Sequence, residues 1–187
     1  MEGKLFIISG PSGAGKDTII KGILKLFPDF VKVKSYTTRP KRTSDEVGNR
    51  VFVSEDEFEK MVNDDELIEW AKFCNYFYGR KKEDILETLE QGKNIIIEVD
   101  VIGTIEYKKK IPNLTSIFIK YDNPDNFIQR IKKNRPETSE KDLETRKKTM
   151  EKELGYEKYY DHSVVNPEGH PEKAIASIAK IIQDMLQ

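Results

Sequence analysis

Apolar positions gather into three short runs that no polar residue interrupts: Leu5-Phe6-Ile7-Ile8, Ile95-Ile96-Ile97 and Ile117-Phe118-Ile119. Unbroken β-branched and aromatic runs of this length mark strands buried on both faces of a parallel sheet, because a half-exposed strand would alternate. Val164-Val165 is a weaker fourth run. Between the runs, apolar residues recur at helical spacing and predict helices over 18–27, 82–91, 101–110, 123–133, 139–154 and 171–186. Strand and helix in regular succession predict an α/β fold.

Two stretches break the rhythm. Residues 35–78 are rich in Thr, Arg, Gly, Asn and aromatics, with short candidate strands at 51–53, 67–73 and 76–78; they predict an insertion with its own small sheet. Residues 123–154 are heavily charged and set Arg130, Arg135 and Arg146 around a break at Arg135-Pro136, which predicts a solvated helical pair.

Composition then narrows the function. A chain of 187 residues makes about one domain. Charged residues are 35% of it, yet 32 Lys and Arg face 33 Asp and Glu. No overall field therefore exists to hold a nucleic acid or an anionic membrane, and phosphate chemistry must come from local clusters. One cysteine, Cys74, and two histidines exclude an intrachain disulfide and a Cys/His zinc cluster. The apolar runs fall far below the ~18 residues that span a bilayer, and the N-terminus has no signal-peptide pattern. A cytoplasmic protein acting on small molecules, as a monomer or homodimer, is expected. Trp70 and Cys74 read as packing residues, and His162 and His170 as loop residues without a partner.

Ser9-Gly10-Pro11-Ser12-Gly13-Ala14-Gly15-Lys16-Asp17-Thr18 follows the first apolar run and opens the first helix. That setting turns a glycine pattern into a phosphate-binding loop. Glycines let successive N–H groups point at phosphate oxygens, the helix start adds positive charge, and Lys16 reaches the terminal phosphates. Residues 10 to 18 of this run are the candidate ATP site; the alternative is a glycine-rich turn without a ligand. Where such loops usually offer magnesium a hydroxyl stands Asp17, with Thr18 one step later. A carboxylate is also a hard oxygen ligand, so Asp17 is a candidate Mg²⁺ ligand, and its charge beside the phosphates predicts a steeper Mg²⁺ dependence than serine would give.

A phosphate loop specifies the donor and leaves the acceptor open. Ser35-Tyr36-Thr37-Thr38-Arg39-Pro40-Lys41-Arg42 places two guanidinium groups three residues apart beside hydroxyls, and arginine forks suit phosphate because they donate in parallel. Leu67-Ile68-Glu69-Trp70-Ala71 supplies a lone acid in an apolar strand, and Tyr76-Phe77-Tyr78-Gly79 a phenol near a turn. Guanine presents donors at N1 and N2, so an ionised Glu69 accepts from both. Adenine offers an acceptor at N1 and no N2 amine, which would cost ~1–3 kcal/mol or more. A solvated acid on an edge strand is the plainer alternative.

With Glu98-Val99-Asp100-Val101-Ile102-Gly103 and the Arg135/Arg146 pair, these segments make the chain resemble guanylate kinase over nearly its whole length. The phosphate loop marks a superfamily; Thr-Thr-Arg-Pro-x-Arg, Ile-Glu-Trp-Ala and Tyr-Gly in this order are specific to the family. The resemblance implies a three-layer P-loop fold with a five-stranded parallel sheet over 1–34, 81–124 and 155–187. It also implies a GMP-binding insertion with a small mixed sheet over 35–80, and a helical lid over 125–154. The implied reaction moves the γ-phosphoryl group of ATP, with Mg²⁺, to GMP or dGMP, giving ADP and GDP.

By the same resemblance Ser35, Arg39, Arg42 and Tyr78 hold the acceptor phosphate and Glu69 the guanine. Arg80 stands where the family has a Ser or Thr that donates to the guanine O6. Glu98 and Asp100 complete the acceptor site, Asp100 by orienting the acceptor or contacting Mg²⁺ through water, unless it merely caps the following helix. Lys16, Asp100, Arg135 and Arg146 form the implied catalytic set, and Asn166 lies near the donor base or in a turn.

Two other readings share these features. A ribose 1,5-bisphosphokinase-like enzyme matches Gly-Lys-Asp, but a sugar bisphosphate has no base edge for Glu69 to read. A guanylate-kinase-like phosphopeptide-binding module would not keep Gly10, Gly15 and Lys16 intact.

Overall fold

The computed structural model describes residues 2–41, 49–73, 75–111, 113–123 and 139–187. In chain order these form β1 (Leu5–Ser9), α1 (Lys16–Leu26), β2 (Ser35–Thr37), β3 (Arg50–Phe52), α2 (Glu55–Asn63), β4 (Leu67–Phe73), β5 (Tyr76–Lys81) and α3 (Lys82–Glu90). Then follow β6 (Ile95–Glu98), α4 (Val101–Lys110), β7 (Thr115–Tyr121), α5 (Glu140–Leu154), β8 (His162–Asn166) and α6 (Pro171–Leu186).

The four apolar runs become one parallel sheet in the order β6-β1-β7-β8. Alternate side chains of β1 feed opposite cores, as the period of a strand requires. Phe6 and Ile8 pack with Ile19 and Ile23 of α1 and Ile178 and Ile182 of α6. Leu5 and Ile7 pack with Ile85 of α3 and Tyr107 of α4. Helices thus cover both faces, which gives the expected three layers. The expected fifth strand is not a strand among the described residues. A single bridge at Val31 lies beside Ile95, with the Val31 N–H donating to the Asn94 carbonyl at 2.8 Å. Phe30 and Val33 on either side are drawn into the two different cores, so the short edge segment has room for one ladder step.

The insertion forms a mixed sheet in the order β3-β2-β5-β4. One face packs Tyr36 and Leu67 against Phe58 of α2, with Phe77 stacked on Phe58 at 5.4 Å. Helix α2 was not foreseen from apolar spacing, although its signal is explicit: Ser54 and Glu57 form a reciprocal capping box. Strand β5 runs into α3 with no residue between Lys81 and Lys82, and Tyr36 Oη donates to Asp84 in the first turn of α3 at 2.9 Å. Helix α5 turns Leu143 and Met150 into the core under α1 and α6. Among the described residues no helix is long and apolar enough to cross a membrane.

Candidate functional site

The glycine loop joins the C-terminal end of β1 to α1, at the sheet end where open α/β folds bind ligands. Gly10, Gly13 and Gly15 have φ of 135°, 78° and 86°, a region that side chains disfavour. At Gly15 the demand is doubled, because an added Cβ would lie 2.5 Å from Asn166 Nδ2. Gly15 is also the N-cap of α1, and no side chain among the described residues caps that helix. The first-turn amides are therefore left to a ligand. The loop is held from behind: Asn166 Nδ2 donates to the Ala14 carbonyl at 2.7 Å, and Tyr121 Oη donates to the Ser12 carbonyl. Asn166 thus props the loop from the end of β8. Pro11 and Ala14 are buried, whereas Ser12, Asp17 and Thr18 are exposed.

Lys16 Nζ donates to the carbonyls of Gly10 and Pro11 at 2.8 and 3.0 Å and lies 3.5 Å from Glu98 Oε1. Burial pushes the Glu98 carboxyl up; Lys16 opposes this, and the neighbouring Asp17 reinforces it. The Ser12 N–H donates a long bond, 3.4 Å, to Glu153 Oε2 of α5. Burial raises the Glu153 carboxyl as well, against the pull of the Ser12 N–H and Lys16. Arg146 lies seven residues before Glu153, about 10 Å along nearly the same face of α5.

Among the described residues no three His, Cys, Asp or Glu side chains converge as a metal cage. Mg²⁺ needs no such cage, since one or two carboxylates suffice when substrate phosphates and water supply the remaining oxygens. Asp17, exposed in the first turn of α1, fits that role. Asp100 caps α4, its Oδ1 accepting from the Gly103 N–H at 2.6 Å. The capping alternative therefore holds for one oxygen of Asp100, while the residue also lines the cavity described next.

The second face of the insertion sheet carries the acceptor candidates. Thr37 is opposite Tyr78 in the β2–β5 register, and Ala71 is opposite Tyr78 and Glu69 opposite Arg80 in the β4–β5 register. Ser35 lies two residues before Thr37, so Ser35, Tyr78, Arg80 and Glu69 share this face. A register shift between Leu67 and Glu69 makes this possible. It lets Leu67 pack towards α2 while Glu69 turns the other way. Arg39 is buried, donating from Nη1 to the Pro40 carbonyl at 2.7 Å with its guanidinium 5.5 Å from the Phe52 ring centroid. Arg42 and Arg135 lie outside the described residues, and of Arg146 only the place on α5 is described.

Glu69 lines a cavity of about 440 Å³ with Asp100, Gly103 and Trp70. Its Oε1 accepts from Arg80 Nη1 at 2.8 Å, and the two side chains are 12% and 19% exposed, so the solvated-acid alternative is excluded. Burial pushes the Glu69 carboxyl up, Arg80 opposes this, Asp100 adds to it and Lys110 subtracts. Trp70 departs from its packing role: it is 48% exposed and meets Phe77 edge-on at 5.9 Å. Cys74 lies outside the described residues. His162 opens β8 instead of lying in a loop, and His170 Nδ1 sits 3.0 Å from Glu172.

Three contributors were not foreseen. Tyr121 and Glu153 contact the loop as above, and Tyr160 Oη donates to Ser9 Oγ at 2.8 Å. Each comes from a distant element and has no motif around it. Only the apolar stripe Leu143, Met150 and Leu154 on α5 hinted which side of that helix faces inward.

A parallel sheet ending in a glycine cradle with its lysine stands beside a small mixed sheet that presents a largely buried acid paired with an arginine, the parts expected of a P-loop kinase with a separate acceptor site. The family model for guanylate kinase matches residues 2–185. The chain is 38% identical over 182 residues to a guanylate kinase of Caldanaerobacter subterraneus subsp. tengcongensis, covering 97% of this chain and 87% of that protein. It is 35% identical over 184 residues to a guanylate kinase of Thermotoga maritima, covering 98% and 87%. The crystal structure of guanylate kinase from Anaplasma phagocytophilum superposes with a TM-score of 0.73 at 24% identity, over 98% of this chain and 86% of that one. The chain belongs to the guanylate kinase family.

Proposed function

We propose that this protein transfers the γ-phosphoryl group of ATP to GMP or dGMP, with the glycine loop holding the donor and the insertion sheet reading the acceptor. The observation that carries the reading is Glu69, a buried acid turned by a strand irregularity into a cavity it shares with Asp100. An ionised carboxylate there accepts from guanine N1 and N2 together, and the Arg80 guanidinium donates to O6. Ser35, Arg39, Arg42 and Tyr78 hold the acceptor phosphate, while Glu98 and Asp100 complete the acceptor site and orient the nucleotide.

The acceptor phosphate carries nearly two negative charges near neutral pH, so its oxygen is a ready nucleophile and needs no strong general base. Catalysis is then positioning and charge neutralisation. Lys16 exchanges the Gly10 and Pro11 carbonyls for the donor phosphates, and Arg135 and Arg146 meet the charge on the moving phosphoryl group. Asp17 would hold Mg²⁺ directly and Asp100 through water; the ion supplies neutralisation of the donor phosphates. Asn166 keeps the loop in shape beneath the nucleotide. Small-molecule substrates and a cytoplasmic setting complete the reading.

A coupled ADP-release assay with Mg²⁺ across GMP, dGMP, AMP, UMP and ribose 1,5-bisphosphate tests it. Turnover with GMP or dGMP well above the other acceptors is expected. Release stimulated by ribose 1,5-bisphosphate and not by GMP would overturn the acceptor assignment. Nucleotide binding without transfer to any acceptor would leave a binding module.

A further inference from the structure

The acceptor site holds a charge pair that phosphoryl transfer does not itself require. Glu69 and Arg80 sit opposite one another on β4 and β5, and the guanidinium reaches further: Nη2 donates to the Glu98 carbonyl at 3.0 Å. One cation thus ties the insertion sheet to the C-terminal end of β6. Taking two charges out of water costs about what their attraction returns, so such pairs are weak sources of stability. This placement therefore points to a role in recognition.

We propose that Arg80, besides donating to O6, is the positioning residue for base selection: clamped between Glu69 and the Glu98 carbonyl, it fixes the Glu69 carboxylate so that the site accepts guanine and refuses adenine. This rests on Glu69 being the guanine acceptor. A carboxylate offers about four lone-pair sites. Arg80 occupies one on Oε1 and leaves the others for the two donors of guanine.

The groups around Glu69 oppose each other. Burial and Asp100, from the start of α4, favour the protonated acid; Arg80 from β5 and Lys110 from the end of α4 favour the anion. Lys110 is already engaged, donating to the Ile68 carbonyl at 2.7 Å. Tyr107 of α4, whose phenol burial pushes up, lies beside Arg80 and is neutral. Among the described residues Arg80 is therefore the cation in direct contact with the acid. Without it the carboxyl shifts further towards its protonated form, which offers O–H to adenine N1 and accepts from the adenine N6 amine, and the discrimination weakens.

The test compares wild type, Arg80→Met and Arg80→Lys in steady-state ADP release with GMP and with AMP, from about pH 6 to about pH 8.5. Arg80→Met should raise the KM for GMP about tenfold or more, lower kcat by less, and shrink the preference for GMP over AMP by a similar factor. Its KM should improve relative to wild type as pH rises and Glu69 ionises. Wild type in the same buffers removes the titration of the GMP phosphate itself. Arg80→Lys should restore most of the loss, because it returns the charge.

An Arg80→Met variant that parallels wild type in KM and preference at every pH would overturn the proposal, as would a raised KM that keeps the wild-type pH profile, which a lost O6 donor alone would give, or a fall in kcat with KM unchanged. If Arg80→Met does not fold, Arg80→Gln keeps a donor without the charge and is read by the same two outcomes. Wild type that uses AMP as readily as GMP would instead strike the reading of Glu69, so the two failures are distinguishable.

Discussion

The proposed donor loop and acceptor face answer the same demand, holding a phosphorylated nucleotide, with opposite materials. The loop is built from backbone: three glycines in left-handed conformations, uncapped amides and one lysine parked on its own carbonyls. The acceptor face is built from side chains on separate strands, with its charges buried and paired in advance. A triphosphate demands only many donors and positive charge. A base demands one particular pattern of donors and acceptors, which only placed side chains can supply. On the proposed reading, generic affinity resides in the loop and selectivity in the sheet.

Substitutions on each side sharpen that division. Lys16→Met should lower kcat about 10³-fold or more while thermal unfolding and the preference among acceptors stay near wild type; lost acceptor preference would mean that the two sites are not separable. Glu69→Gln should do the reverse, cutting the GMP-over-AMP ratio of kcat/KM about 100-fold with ATP affinity preserved. Gly15→Ala should raise the KM for ATP and cost about 1–3 kcal/mol in chemical denaturation, because the backbone is left-handed and Asn166 Nδ2 lies 2.5 Å from the new Cβ. Asp17→Ser should make ATP affinity less sensitive to removal of Mg²⁺, measured by titration with and without chelator.

The smallest effect concerns the strands behind the loop. Asp161 accepts from the Ser116 N–H and Oγ at 2.8 and 2.7 Å and from Lys108 at 2.8 Å. Burial alone would raise its carboxyl, but Lys108 and Ser116 outweigh it, so it titrates below the ordinary range. A carboxyl lowered in the fold binds fewer protons there than in the unfolded chain. Its stabilisation is present above the unfolded pKa of about 4 and is lost as pH falls through the folded value. Asp161→Ala should cost about 0.5–1 kcal/mol near neutral pH, since solvent screens its half-exposed pairing with Lys108, and progressively less in acid, read by urea melts, with acceptor preference unchanged.

The same contrast explains what the sequence made legible. The loop lies within ten consecutive residues whose chemistry is local, and the strands behind it are unbroken apolar runs, so both could be read directly. Glu69 was legible as a lone acid in an apolar strand, but its partner was not. Arg80 meets it only through strand register and an irregularity that apolar alternation does not reveal. Helix α2 was missed because it is short, with Phe58, Met61 and Val62 alone marking its apolar face, although its capping box was in view. The fifth strand was expected by resemblance, yet the segment around Val31 splits its apolar residues between two cores. Tyr121, Asn166 and Glu153 converge on the loop from the ends of three elements far apart in the chain, a convergence that only tertiary packing creates.

The junction of β5 with α3 has a mechanical corollary. With no spacer at Lys81–Lys82 and with Tyr36 latched to Asp84, α3 is joined to the small sheet at its first turn. At its last turn the Leu89 carbonyl accepts from the Gly3 N–H at 2.8 Å. The helix is thereby moored at both ends, to the small sheet at one and to the segment that leads into β1 at the other.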